Sequence, residues 1–184
     1  MLVLLVLLGL IGAIALWLVG LYNGLVRLRN QVKNAWAQID VQLKRRHDLI
    51  PNLVETVKGY AGHEKTTLER VVQARGAAVN AHGVGAQAQA EGELSAALGR
   101  LMVVVEQYPD LKANQNFLAL QEELTSTENR IGFSRQHYND SVMTYNTRTQ
   151  SFPANVVAGM FTFKPEEFFE LKDEAAREAP KVAF

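Results

Sequence analysis

Between Leu2 and Leu21 the chain reads LVLLVLLGLIGAIALWLVGL, and no charged side chain occurs before Arg27. Twenty helical residues at about 1.5 Å each reach roughly 30 Å, the thickness of a bilayer's hydrocarbon core. A helix that is apolar on every face finds its natural solvent in lipid. Leu4, Leu8, Ile11, Leu16 and Trp17 are therefore expected as anchor side chains, with Trp17 and Tyr22 near the interface that amphipathic rings favour. A buried core helix and a cleaved signal peptide are the competing readings. The signal peptide needs a basic segment before the run and a small-residue cleavage site after it; Ala13 and Ala15 have that spacing but lie inside the run. Arg27, Arg29 and Lys33 follow the span closely, so the positive-inside rule places the bulk of the chain in the cytoplasm with a very short N-terminus outside.

Past the span the pattern is helical. Leu25, Leu28, Val32, Trp36, Ile39 and Leu43 recur at steps of three and four, a single apolar stripe. No proline or glycine interrupts it after Gly24, so the span is expected to run straight into this helix, to about Arg46. Asp48 then reads as an N-cap with Pro51 in the first turn of a second helix. Its stripe is Ile50, Leu53, Val54, Val57, Ala61, Leu68, Val72 and Ala78, ending at Asn80-Ala-His-Gly-Val-Gly. Residues 83–93, rich in Gly, Ala, Gln and Glu, offer no large apolar anchor. A third stripe follows at Leu94, Leu98, Leu101, Val105 and Tyr108, and a fourth at Phe117, Leu120, Leu124, Ile131, Tyr138, Val142 and Tyr145. Thr127 and Ser134 fill the heptad positions between them.

Four stripes with short connections and no strand alternation before residue 150 predict an all-α chain. The expected architecture is a transmembrane helix continuous with an antiparallel up-down-up-down bundle, closed by a short C-terminal helix and aromatic tail. The expected divisions are 1–22, 23–150 and 151–184. Six of the eight phenylalanines lie beyond residue 150, and a short helix is expected around Pro165–Glu178. Helix four, at about 40 residues, is long enough to return to the membrane level. Its end brings Phe152, Met160, Phe161 and Phe163 near the membrane edge, unless these rings simply plug the open end of the bundle.

Composition excludes several chemistries. With 19 basic and 19 acidic side chains no global field favours nucleic acid, and without cysteine there is no disulfide, thiol nucleophile or thiolate metal site. His47, His63, His82 and His137 have no metal-ligand spacing and read as solvated surface residues. Glu122-Glu123 and Glu166-Glu167 are adjacent in sequence, so on a helix they diverge by about 100° and form no acid/base pair. Gly83-Val-Gly85 lacks the lysine of a phosphate loop, and the serines stand outside any nucleophile elbow. No catalytic, cofactor or metal residue is expected.

Lys44-Arg45-Arg46 is the strongest basic run. Arg46 extends the first stripe by three and is followed by Ile50, so it faces helices rather than water. A buried guanidinium needs a partner. An acid early in helix four suits best: Glu123 first, Glu128 as the alternative. The competing reading lets Arg46 snorkel to the surface with its neighbours.

The stretch YNGLVRLRNQVKNAWAQIDVQLKRRHDLIPNLVETVKGYAGHEKTTLE from Tyr22 to Glu69 closely resembles the LemA family. So do ANQNFLALQEELTSTENRI from Ala113, RQHYNDSVMTYNT from Arg135, and FPANVVAGMFTF from Phe152. The resemblance covers nearly the whole chain outside residues 76–95. It implies a bacterial, membrane-anchored helical bundle in the inner membrane, with no catalytic motif to carry over. Similarity between that family and a magnetosome-membrane protein implies membrane organisation, and the occurrence of members beside other membrane proteins implies scaffolding. Two functions follow as expectations. One is a self-associating scaffold that presents its bundle to other membrane proteins; the other is a membrane-shaping protein that assembles into a coat or ring. Gly9, Gly12 and Gly20 would permit close approach of spans, and a closed ring or dimer is expected.

Overall fold

The computed structural model describes residues 1–170. Among them every regular element is helical: α1 (Leu2–Tyr60), α2 (Lys65–Asn80), α3 (Val84–Val105), α4 (Pro109–Lys112), α5 (Gln115–Gln150) and α6 (Ala154–Met160). The chain is all-α, an apolar N-terminal helix continuous with a helical bundle.

α1 departs from expectation at one point. It does not restart at Asp48 but runs through Pro51 to Tyr60. Proline lacks the N–H that would bond the carbonyl four residues back. That carbonyl belongs to His47, and Arg75 Nε of α2 donates to it at 2.7 Å. The side chain of another helix thus satisfies the group that proline leaves open. The chain turns at Ala61–Glu64 instead.

α3 also differs. Residues expected as a loop are helical from Val84, because small side chains suit close helix contact: Ala88 and Ala90 are buried. Gly83 precedes α3 at φ +86°, a conformation side-chain-bearing residues rarely adopt. On α2 the buried valine is Val71, while Val72 is exposed. α5 begins at a side-chain cap: the Phe117 N–H donates to Asn114 Oδ1 at 3.0 Å. Lys164–Glu170 forms no regular element, neither helix nor strand; the rest of the helix expected around Pro165–Glu178 lies outside the described residues. The short helix that does form, α6, comes earlier in the chain.

The chain divides into two compact units. One is Met1–Gln38 with Ser134–Glu167; the other is Ile39–Phe133 together with Phe168–Glu170 among the described residues. α1 and α5 each contribute to both. The second unit has a continuous core from Ile50, Leu53 and Val57 of α1, Leu68 and Val71 of α2, Leu94 and Leu101 of α3, Leu111, and Phe117 and Leu124 of α5. In the first unit Leu25 and Val32 are buried, as are Tyr138, Val142 and Tyr145 of α5 and Val157 of α6. Trp36 meets Tyr138 edge-on at 5.4 Å. The first turns of α1 differ from everything else: an 18-residue window of mean hydropathy 3.0 has none of its residues buried, a candidate membrane span.

Candidate functional site

Two places gather the side chains that the sequence singles out. In the second unit the centre is Arg46, 1% exposed on the buried stripe of α1. Its guanidinium contacts the Glu91 carboxylate of α3 and the Glu128 carboxylate of α5. It also donates to Ser95 Oγ at 3.1 Å. Glu91 is itself 1% exposed. Its Oε2 meets Arg46, and its Oε1 meets His47 Nε2 and Gln87 Nε2, each at 2.8 Å. Burial pushes the Glu91 carboxyl up, but the bond from His47 and the Arg46 charge outweigh it and hold the group below its ordinary range. A carboxylate so held is ionised at neutral pH with both oxygens occupied, so it is not poised to move a proton.

Arg46 thus meets Glu128, and the first-choice partner Glu123 does not reach it. Glu123 pairs with Arg45 at 2.7 Å on the surface. Glu123 already stands at the level of Arg45, but Glu128, five residues on, is turned about 140° around α5, and this presents it to the buried face where Arg46 lies. Glu91 falls in the Ala/Gly-rich segment and carried no sequence signal; a charge among small residues in a helix is the only local hint. His47 is also corrected: it is buried, not solvated, while His63, His82 and His137 are exposed. Among the described residues no group of three or more His, Asp or Glu could hold a metal ion.

The second place lies in the first unit, at the end of the apolar run. Tyr22 meets Phe161 and Phe163 edge-on, with ring centroids at 4.9 and 5.6 Å. The Arg29 guanidinium lies 5.0 Å from the centre of the Phe163 ring. Phe163 is buried, whereas Phe161, Met160 and Phe152 are 55%, 70% and 81% exposed. Leu18, Val19, Tyr22, Val157, Met160 and Phe161 line an apolar groove of about 270 Å³. Of the five interface candidates, Met160, Phe161 and Phe163 therefore gather around a fourth, Tyr22. Phe152 makes no part of the groove, and Phe163 fills the space between Tyr22 and Arg29, as a plug does.

Three α5 side chains hold the segment that follows. Tyr145 Oη donates to the Lys164 carbonyl at 3.0 Å and Tyr138 Oη to that of Glu167 at 2.8 Å. Asn146 bonds Glu166 in both directions, its Nδ2 to the carbonyl and its Oδ1 from the N–H, each at 2.9 Å. Burial, with Glu166 and Glu167 nearby, raises the Tyr138 phenol to about 12. Burial and Glu166 raise Tyr145 against the opposing charge of Arg29.

The anchor residues Leu4, Leu8, Ile11, Leu16 and Trp17 are all more than half exposed. Nothing lies within 4 Å of where a side chain on Gly9, Gly12, Gly20 or Gly24 would begin.

Comparison with known proteins accords with this arrangement. The profile of the LemA family matches residues 35–184. Magnetosome protein MamQ 2 of Paramagnetospirillum magneticum is 28% identical over 177 residues, covering 82% of this chain and 65% of that protein. Protein LemA of Metamycoplasma hominis is 29% identical over 141 residues, covering 76% of this chain and 64% of that protein. Magnetosome protein MamQ of Magnetospirillum gryphiswaldense is 27% identical over 177 residues, with coverages of 82% and 65%. The chain thus spans just under two thirds of the length of these relatives.

Proposed function

The chain belongs to the LemA family, and on that premise we propose that it is a membrane-anchored scaffold without catalysis of its own, which self-associates and presents its bundle to membrane-protein partners. One observation carries the reading. The fully exposed apolar window and the first bundle stripe belong to a single helix, so whatever the span is embedded in is joined to the bundle without a linker. Arg27, Arg29 and Lys33 on one flank support a cytoplasmic bundle in a single-pass, inner-membrane arrangement. Tyr22, Met160, Phe161 and the exposed Phe152 would then stand at the interface. Photo-cross-linkers at the exposed positions Phe133, Val103 and Leu118 in native membranes test the scaffold. Discrete adducts, including one at the mass of a self-dimer, are expected. Lipid adducts alone would rule the scaffold out.

A coat or ring that shapes the bilayer is the second reading, favoured by the exposed aromatic side chains of the collar and by relatives named as magnetosome proteins. Electron microscopy of liposomes carrying the full-length protein separates the two. Tubes or regular coats support shaping, and smooth vesicles with discrete adducts support the scaffold.

A further inference from the structure

We propose that the groove between α1 and α6 holds an acyl chain of one anionic phospholipid, with the headgroup against the cationic side chains of Arg29 and Lys164. The inference rests on reading α1 as a membrane span.

The groove begins inside the apolar run, at Leu18 and Val19, and ends at Tyr22, where the run stops. Its surface continues the exposed face of the span, so the bilayer's own molecules are the ones that reach it. Its side chains offer an acyl chain apolar contact along its length and no hydrogen-bonding group apart from the Tyr22 phenol. The other wall is α6, whose exposed Val156 and Met160 are poorly suited to water.

Charge selects the headgroup. The unit's two segments, 1–38 and 134–167, carry Arg27, Arg29, Lys33, Arg135, Arg148 and Lys164 against Asp140, Glu166 and Glu167, so basic side chains outnumber acidic ones by six to three. The chain as a whole is balanced, so the imbalance is local to this unit. Arg29 lies seven residues past Tyr22, two turns on and on the same face of α1. It is tied to the groove through ring contacts, Arg29 on Phe163 and Phe163 on Tyr22. Its Nε is buried without a hydrogen-bond partner among the described residues. Lys164 follows Phe163 and is exposed, with its backbone carbonyl fixed by Tyr145. An apolar slot that ends beside Arg29 and Lys164, in a unit with excess positive charge, matches an amphiphile with an apolar tail and an anionic head.

The test uses full-length protein in vesicles of equal phosphatidylcholine and phosphatidylglycerol, with bromine on the acyl chains of one lipid or the other. Phe161→Trp, in a Trp17→Phe, Trp36→Phe background, places the sole fluorophore in the groove. Leu16→Trp in the same background reports from another face of the span at a similar depth. At Phe161→Trp, brominated phosphatidylglycerol should quench at least twofold more than brominated phosphatidylcholine. At Leu16→Trp the two should quench equally. Adding Arg29→Gln and Lys164→Gln should abolish the preference while total quenching persists. Equal quenching at Phe161→Trp, or the same preference at both reporters, overturns the lipid site and leaves the anchor intact. Absence of quenching by either lipid at both reporters, with helicity retained, overturns the membrane reading as well.

Discussion

Arg46 shows how one residue's surroundings decide its cost. Removing one partner of a buried ion pair leaves an uncompensated charge, and such losses run at about 3–5 kcal/mol. Arg46→Ala should therefore destabilise the protein by roughly 3 kcal/mol or more. Arg45→Ala, which breaks only the exposed pair with Glu123, should cost about 1 kcal/mol or less. Denaturant midpoints of the full-length protein in a mild detergent measure both, and a small effect at Arg46 would mean that its burial contributes little. Glu91 adds a pH signature. Its carboxyl is lower in the folded protein than its ordinary value of 4.5. The stability it contributes is complete above that value and is lost as pH falls through the depressed folded one. Glu91→Gln should flatten the acid limb of a stability–pH curve, and an unchanged limb would count against the network. The sequence placed Arg46 on a buried line, because helical spacing is local. It could not reveal Glu91 or the burial of His47, because their pairing depends on residues 44 and 45 positions apart.

Proline at position 51 carries the lesson at the level of the element. Pro51 after Asp48 has the local signature of a helix start, and the signature is misleading here. What keeps α1 intact is Arg75, 28 residues away, bonded to the His47 carbonyl. Arg75→Met leaves that acceptor unpaired, at about 1–3 kcal/mol. In a Pro51→Ala background the restored N–H can take the same carbonyl, so the cost of Arg75→Met should shrink markedly. A double-mutant cycle that returned strict additivity would break this account. The segment after α6 is a second case, with Tyr138, Tyr145 and Asn146 standing in for a neighbouring strand. A phenol raised to about 12 contributes stability that is complete below the ordinary tyrosine value near 10 and lost as pH rises through 12. Tyr138→Phe should remove the corresponding part of the alkaline loss in thermal melts between about pH 10 and 12. The heptad-spaced stripes of α3 and α5 were legible because large side chains repeat there. The first turns of α3 were not, because alanines pack closely without leaving a hydrophobic signature.

For the molecule as a whole, the proposed membrane attachment rests on the uncovered apolar window, a candidate span. An arginine near the centre of a span raises insertion free energy by about 2.5–3.5 kcal/mol. Leu10→Arg should shift the protein from the membrane pellet toward the soluble fraction, whereas Val41→Arg, at an exposed bundle position, should not. Equal behaviour of the two variants in fractionated cells would argue against the span. Family membership accounts for the overall plan, and it was legible in long blocks such as Tyr22–Glu69. The arrangement around Tyr22 was legible only in part: the aromatic residues could be read, but not which of them would be buried.

The makeup of the two units also sets an order of events during synthesis. Ile39–Phe133, the larger segment of the second unit, is contiguous and can begin to condense as it leaves the ribosome, whereas Met1–Gln38 must wait for Ser134–Glu167. Until then Leu25, Val32 and Tyr22 have no cover from α5 or α6. The part of the protein at the end of the apolar run is therefore the last to close, across the widest gap in the chain. A chain stopped after Phe133 would keep the larger segment of the second unit while leaving these side chains bare, so chaperones and quality-control proteases would meet their substrate here first.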